Sequence, residues 1–491
     1  MSPEYGKPLA NLVMSLSSYS AAKSVVSISE SALYHYQYSS ICDTIHNLAK
    51  NSSDYEAMLQ KILALLMPNY GTTGSAIVFG IKAYLLQIDV CNAEKGATRC
   101  FENRTQNYKA NNQVVGNKPL SPGYPVSFVN LHESGKNWSL PLCSSRVSLS
   151  ETESECAHRQ LKMLLESEDL PFGESLSIAV LDSKYGNAAY LSPVNQHKNL
   201  VNIVRHRSGT KVYSSEVELS ANAQGAPTQY GHSYTLIPKD RIFSGTNKSG
   251  KFAKVQNSLF NLPFSDFYTQ TAETSKGRKL RIEVHRWNDL KIRTKSGNNM
   301  KDKPLDLCCV RVFDTKTSEP VFDKELWFSI NGSRKNEIST QNGYLAYRQR
   351  YGIEPFFRFN KQNLFFQNYQ TPDSQHFDNW RLIAQLAVWL LFIAEEDITN
   401  TPKKWQKYLS IHQKTTDNSP KKLTLAQAYH SSQLLFANFD KKPFLPKLTN
   451  KPHGRRNGET QAKRPTFPIV KKPKKTKISI KTTAKTPKPP D

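Results

Sequence analysis

The sequence lacks the signatures of several protein classes. Its seven cysteines are odd in number and none form a C-x-x-C pair, so neither a disulfide framework nor a zinc site is expected. No G-x-S-x-G motif is present and the 12 histidines show no metal-ligand spacing, which leaves a serine hydrolase without support. The N-terminus does not resemble a signal peptide. The longest apolar run, residues 382–394, is shorter than the roughly 20 residues of a membrane span and predicts a buried helix.

Acidic residues are scarce relative to basic ones. The chain has 66 Lys and Arg against 41 Asp and Glu, a net charge of +25, which favours a polyanionic partner, most commonly nucleic acid. Residues 441–491 hold 16 of these basic residues and two acids. This segment has few large apolar groups, so we expect a disordered basic tail. It would either raise general DNA affinity or only keep the protein in solution.

The remaining pattern predicts a mixed α/β protein of several segments. We expect a helical region over residues 1–70, which could bind DNA, dimerise or simply cap the core. An α/β core begins at 71–214, a β-rich insertion follows at 215–340, and the core resumes with C-terminal helices at 341–440. Strands are expected at 82–90, 125–132, 175–182, 199–207, 279–287, 308–313 and 324–330. Helices are expected at 158–170, 345–366, 377–396 and 423–437, with an earlier one ending at Pro68.

Two aspartates stand at the ends of apolar strand candidates. Asp89 ends YLLQID and Asp182 ends SIAVLD. A carboxylate beside a buried strand needs compensation, and each residue could simply cap a loop. Joined by a glutamate on a later helix, the pair would supply the oxygen ligands that suit Mg²⁺ or Mn²⁺.

The segment YRQRYGIEPFFRFNK (347–361) provides such a glutamate. Tyr347, Arg350, Glu354 and Lys361 follow the spacing Y-(2)-R-(3)-E-(6)-K. This pattern resembles the signature of DDE transposases from bacterial insertion sequences, in the group named for these four residues. LLQIDV (85–90), LDSKYGNAAYL (181–191) and the stretch 369–392 are similar to other blocks of these enzymes, so the resemblance covers roughly residues 80–400.

The resemblance implies a fold, a metal site and a set of DNA contacts. It implies a ribonuclease-H-like core interrupted by the β-rich insertion, with two Mg²⁺ or Mn²⁺ ions held by Asp89, Asp182 and Glu354. Tyr347 and Arg350 match phosphate-contacting positions, and Lys361 matches a basic residue that holds DNA near the cut. Relatives hold a flipped base with an inserted tryptophan. Trp287 and Trp327 are both candidates for that role.

One detail of the signature depends on local backbone geometry. Glu354 and Lys361 lie about 20° apart in helical projection, on one face. Tyr347 and Arg350 would join that face if the helix extended back to them. Pro355 disfavours helical geometry in the residue before it, so the helix would begin or kink at Glu354.

The resulting functional expectation is a metal-dependent DNA transposase that cuts and rejoins DNA. The expected partners are double-stranded DNA, as inverted transposon ends and target, and a second copy of the chain in a homodimer on that DNA. No membrane partner is expected, and the expected location is the cytoplasm, at the nucleoid. A DNA-binding descendant that no longer cuts and a ribonuclease-H-like nuclease remain the alternatives.

Overall fold

The computed structural model describes most of the chain in separate ranges. The described residues are 3–20, 22–72, 77–78, 81–96, 98–108, 120–133, 138–215, 230–237, 257–293, 300, 302–371, 373–400, 423–439, 458, 460 and 463–470.

The N-terminal region is helical, as the sequence predicts. Its helices are α1 (Pro3–Leu16), α2 (Val25–Ile28), α3 (Tyr38–Leu48) and α4 (Ser52–Thr72). Three of them, α1, α3 and α4, pack against a long helix of the C-terminal part, α9 (Ser374–Ile393). The expected end of α4 at Pro68 is wrong, because the helix continues to Thr72. Pro68 lies in the last turns, where the loss of one backbone hydrogen bond affects little of the helix.

Among the described residues, one sheet of eleven strands forms the centre of the fold. The strands of its first half are β1 (Ile77–Val78), β2 (Ile81–Glu94), β3 (Thr105–Tyr108), β4 (Leu120–Glu133), β5 (Trp138–Arg146), β6 (Leu176–Leu181) and β7 (Leu200–His206). The middle strands follow the order β5-β4-β2-β6-β7. Strands β2, β4 and β5 are antiparallel neighbours, whereas β6 and β7 run parallel to β2. The sheet is therefore mixed, as is common in α/β folds.

Two helices connect the strands of this core. Helix α5 (Glu153–Leu165) connects β5 to β6, and α6 (Ala188–Val194) connects β6 to β7. The sequence places the first of these at 158–170, so the prediction is late by five residues at each end. The actual start is fixed by Thr152, whose hydroxyl accepts from the Glu155 amide in a capping box.

The β-rich region continues the same sheet. Its strands are β10 (Asp266–Glu273), β11 (Lys279–Leu290), β12 (Leu305–Asp314) and β13 (Leu326–Asn331), preceded by a separate hairpin of β8 (Lys211–Tyr213) and β9 (Ser233–Thr235). Strand β13 pairs antiparallel with β7, in the register Phe328↔Arg205. The backbone groups of β7 on that side are thereby paired, which avoids an exposed sheet edge.

The C-terminal part returns to helices. These are α7 (Thr340–Arg348), a 3₁₀ turn (Gln349–Gly352), α8 (Ile353–Asn363), α9 and α10 (Leu425–Phe439). The expectation of one helix over 345–366 is wrong, because the 3₁₀ turn separates α7 from α8. Pro355 falls in the first turn of α8, where a proline is tolerated. Helix α9 is buried along most of its length, and no helix among the described ranges is long and apolar enough to cross a membrane.

Part of the basic tail lies against the core. The Phe467 amide donates to the Arg99 carbonyl over 2.9 Å, and the Val470 amide donates to the Arg104 carbonyl over 2.8 Å. The Arg104 guanidinium returns a bond of 2.9 Å to the Phe467 carbonyl. Residues 463–470 are thus an extended segment paired with the core. Apart from residues 458 and 460, the rest of the segment 441–491 lies outside the described residues, so its predicted disorder stays a prediction.

All seven cysteines are free, as the sequence predicts. Cys308 and Cys309 are fully buried in β12.

Candidate active site

Sheet register brings the two strand-end aspartates together. The parallel pairing of β2 and β6 ends with Ile88 opposite Leu181, so Asp89 and Asp182 are the next residues on adjacent strands. Asp182 follows the end of β6, and its Oδ1 accepts from the Lys184 amide over 2.7 Å. Asp89 Oδ1 accepts from the Val90 amide over 2.8 Å. Two carboxylates therefore lie side by side where β6 ends and β2 continues toward Glu94.

This placement disfavours the charged form of Asp89. Burial and then the like charge of Asp182 raise the pKa of Asp89 to about 6, although the Val90 amide and Arg350 act in the opposite direction. A divalent cation between the carboxylates would remove the repulsion and supply the missing solvation. The charge and chemistry of this pair fit such an ion.

Arg350 connects this strand end to Glu354. One nitrogen of its guanidinium lies 3.6 Å from Asp89 Oδ2 and the other lies 3.5 Å from Glu354 Oε1. The arginine is buried, and its guanidinium also covers the Tyr351 ring at 4.5 Å. Glu354, in contrast, keeps 54% of its side chain exposed. The 3₁₀ turn before α8 makes this possible, since it carries Arg350 toward the sheet while Glu354 starts the helix.

Lys361 also faces the strand that carries Asp89. It lies beside Cys91, whose pKa burial raises to about 11, while the Lys361 charge and hydrogen bond act to lower it. Cys91 and Asp89 share a face of β2 because side chains alternate along a strand. Lys361 and Glu354 are seven residues apart on α8, which puts them on one helix face. Arg350 and Lys361 therefore contact the same face of β2, and Glu354 reaches it through Arg350.

Tyr347 lies beside Arg350, whereas the two tryptophans lie in other parts of the structure. Tyr347 is fully buried, with its ring stacked on Phe328 at 5.2 Å between centroids. Trp287 and Trp327 are buried in the β-rich part of the sheet, 5.8 Å apart between centroids. Trp287 Nε1 donates to the Leu262 carbonyl over 3.2 Å. None of the three faces solvent in this conformation, so their predicted contacts with DNA would require them to become accessible.

Aromatic side chains that the sequence analysis missed are exposed near the same turn. Phe322 is 62% exposed and Tyr351 is 52% exposed. Both line a cavity of about 500 Å³ at the junction of β7, β12, β13 and the α7 end. Its cationic lining residues are Arg205, Arg311, Lys324 and Arg348. The only sequence signal for Tyr351 was its position next to Arg350; Phe322 had none.

The carboxylates of Asp89, Asp182 and Glu354 do not form a complete metal-binding site in this conformation. Across the ranges that the structure describes, no group of three His, Cys, Asp or Glu side chains is placed to hold an ion. Asp89 and Asp182 are neighbours, whereas Glu354 reaches them only through Arg350. The arginine supplies the positive charge that the acidic cluster requires in this conformation.

Part of the chain is similar to a known protein family. Residues 7–245 match the family described as DDE superfamily endonuclease. The match includes Asp89 and Asp182 and ends before Glu354. It also includes the helical region before residue 70, which the resemblance in the sequence did not cover. A search of curated proteins gives no match. The family match supports a DDE-type transposase relationship and a nuclease-type function.

Proposed function

We propose that this chain is a DNA transposase that cleaves the ends of its element and joins them to target DNA. The observation that carries the proposal is the register that places Asp89 and Asp182 side by side where the parallel pairing of β2 and β6 ends, next to the turn and helix that bear Arg350 and Glu354. The match of residues 7–245 to DDE superfamily endonucleases supports it independently.

The proposal includes a ribonuclease-H-like core. In the order β5-β4-β2-β6-β7, the first three strands are antiparallel neighbours. Strands β6 and β7 run parallel to β2, and this arrangement supports the proposed core. In open α/β sheets, ligand sites lie at the carboxyl ends of the parallel strands. Asp89 lies within β2 at the level where its neighbour β6 ends.

In this proposal Asp89, Asp182 and Glu354 would hold Mg²⁺ or Mn²⁺, because carboxylate oxygens are the ligands these ions prefer. Two bound ions supply activation of the attacking oxygen and stabilisation of the leaving one. The protein contributes charge and position. The Lys184 amide orients Asp182, and Arg350 balances the negative charges of Asp89 and Glu354.

The proposed DNA surface extends from this site across the neighbouring cavity. Nucleobases stack on exposed aromatic rings, and phosphates pair with arginine and lysine. Phe322 and Tyr351 are exposed, whereas Trp287 and Trp327 are buried. We therefore favour Phe322 and Tyr351 over either tryptophan as the first contacts of an unpaired base. The net charge of +25 suits the double-stranded DNA partner, and pairing two ends implies a homodimer on that DNA.

The alternative is a DNA-binding descendant that no longer cuts. One observation favours it, namely that Arg350 contacts both Asp89 and Glu354 where a metal would require those oxygens. The two proposals differ in whether cations displace this arginine from the carboxylates.

A cleavage assay tests the proposal. Purified protein is incubated with Mg²⁺ and DNA bearing the inverted ends that flank its gene. Wild-type protein should release 3′-hydroxyl ends, while Asp89→Asn and Asp182→Asn should bind the same DNA and leave it intact. The exposed Asp169 provides a matched control, and Asp169→Asn should cleave normally. Binding without cleavage by the wild type would instead support the silent descendant.

A further inference from the structure

Three alternate residues of β2 meet three points of the segment that follows α7. Gln87, Asp89 and Cys91 share one face of the strand. Gln87 Nε2 donates to the Gln349 carbonyl over 2.5 Å, Asp89 faces Arg350, and Cys91 lies beside Lys361. The strand and the segment therefore run along each other. Gln87 makes the first of these three contacts and the only one with a backbone group.

The Gln87 carboxamide is fully buried and is bonded at both ends. Its Oε1 accepts from Ser139 Oγ over 2.5 Å, and Ser139 Oγ in turn accepts from Asn130 Nδ2 over 2.9 Å. Its Nε2 serves the Gln349 carbonyl, at a helix end where carbonyls lack intrahelical partners. A chain of hydrogen bonds thus runs from the antiparallel strands β4 and β5, through β2, to the turn.

Gly352 provides an independent sign that this contact is close. A Cβ at position 352 would lie 2.5 Å from Gln87 Nε2 and 3.6 Å from His132 Nδ1. The backbone of Gly352 has φ −59°, a value open to any residue, so the glycine is required for space and not for conformation. The turn can approach the carboxamide only because this side chain is missing.

We propose that Gln87 is a positioning residue of the active site, an inference that rests on the proposed function. Its carboxamide holds the turn Gln349–Gly352 against β2. Arg350 is the next residue after the bonded carbonyl, and Glu354 follows four residues later. A displaced turn would move both of them relative to Asp89, so this one hydrogen bond sets the spacing of groups on two separate parts of the chain.

Gln87→Met tests the inference because it keeps the length of the side chain and removes both hydrogen bonds. Gln160→Met is the matched control, since Gln160 is equally buried and donates to a backbone carbonyl, that of Ser127, over 3.1 Å. Gly352→Ala is a second variant, in which the new methyl group pushes the turn away while the Gln87 side chain itself is kept. Gly209→Ala is its control, because a Cβ there meets nothing within 4 Å.

The first readout does not depend on metal. Cys91 is 4% exposed beneath Lys361, so its alkylation by iodoacetamide, followed peptide by peptide with mass spectrometry, reports whether the segment stays on β2. Gln87→Met and Gly352→Ala should be alkylated at Cys91 about tenfold faster than wild type, the effect of one unmade buried hydrogen bond. Both control variants should behave as wild type. Unchanged protection in Gln87→Met, or equal loss in Gln160→Met, would overturn the inference.

The second readout is Mn²⁺ binding, measured from the EPR signal of free Mn²⁺. Gln87→Met should bind about tenfold more weakly than wild type while its affinity for end-bearing DNA stays within twofold. Faster Cys91 alkylation with unchanged Mn²⁺ binding would overturn the inference, since the turn would then not control the site. A wild type that binds no Mn²⁺ would overturn the proposed function, and with it a role for Gln87 in catalysis, while the alkylation result would still decide the anchoring of the turn.

Discussion

The raised pKa of Asp89 implies that this carboxylate destabilises the metal-free protein. Burial and Asp182 shift its pKa from 3.8 to about 6. The folded state then binds the proton more tightly than the unfolded state, so stability falls as pH rises from about 4 to about 6. A shift of about two pKa units corresponds to about 3 kcal/mol at neutral pH. Asp89→Asn removes the charge, so it should be more stable than wild type by about this amount.

Urea denaturation in EDTA between pH 4.5 and pH 8 measures the effect. The stability advantage of Asp89→Asn should grow by about 2 kcal/mol over this range, because most of the titration falls within it. Asp169→Asn, at an exposed position, should show no such trend. Added Mg²⁺ should reverse the order, since an ion that binds only the folded wild type stabilises it by mass action. An asparagine variant that is less stable than wild type at pH 8, or whose advantage does not change with pH, would refute the reasoning.

Three further predictions concern other parts of the molecule. Asp306→Ala should lower the free energy of unfolding by about 3–5 kcal/mol in urea, because it leaves the buried cations of Arg286 and Lys335 without their shared carboxylate; a loss below about 1 kcal/mol would contradict this. Phe322→Ala and Tyr351→Ala should weaken binding of end-bearing DNA in a mobility-shift titration by about 1–3 kcal/mol per lost stacking contact without changing stability, and unchanged affinity would remove both from the DNA surface. Deletion of residues 471–491, which carry eight lysines, should weaken binding to end-bearing and random DNA alike and make the salt dependence shallower, whereas a selective loss for end-bearing DNA would mean that the tail reads sequence.

The sequence predicted the parts of the fold that local patterns control. The apolar runs before Asp89 and Asp182 gave the positions of β2 and β6, because strands buried on both faces are nearly continuous in apolar residues. Asp182 follows the end of β6, as the sequence predicts, whereas Asp89 lies inside β2, which continues to Glu94. The sequence did not predict their lateral register, since it depends on how two strands far apart in sequence pair.

Long-range pairing also explains what the sequence could not give. Apolar and polar residues alternate in the β-rich region, which predicts strands. No local pattern shows that β13 pairs with β7. Pro355 predicts an interruption of the helix near Glu354. It does not locate the 3₁₀ turn that separates α7 from α8. No sequence pattern singles out Gln87, because its hydrogen-bond partner is a carbonyl 262 positions away along the chain.

The burial of the two tryptophans shows that residue type alone does not predict whether an aromatic ring is exposed. Trp287 and Trp327 were selected as the tryptophans of the β-rich region, and they pack against each other in its interior. Exposure, which decides whether a ring can stack on a base, follows from packing across several strands. The exposed rings of Phe322 and Tyr351 could be recognised only from the structure.

A strand-transfer assay decides whether the protein joins DNA ends as a transposase does. DNA carrying a pre-cleaved end with a free 3′-hydroxyl is incubated with a target plasmid, Mg²⁺ and the protein, and joined products are sequenced. The account predicts end–target junctions with wild-type protein and none with Asp89→Asn or Glu354→Gln, although both variants still bind the end. Cleavage of end-bearing DNA without any joined product would identify a nuclease instead, and junction formation by Asp89→Asn at the wild-type rate would contradict the assignment of the active site.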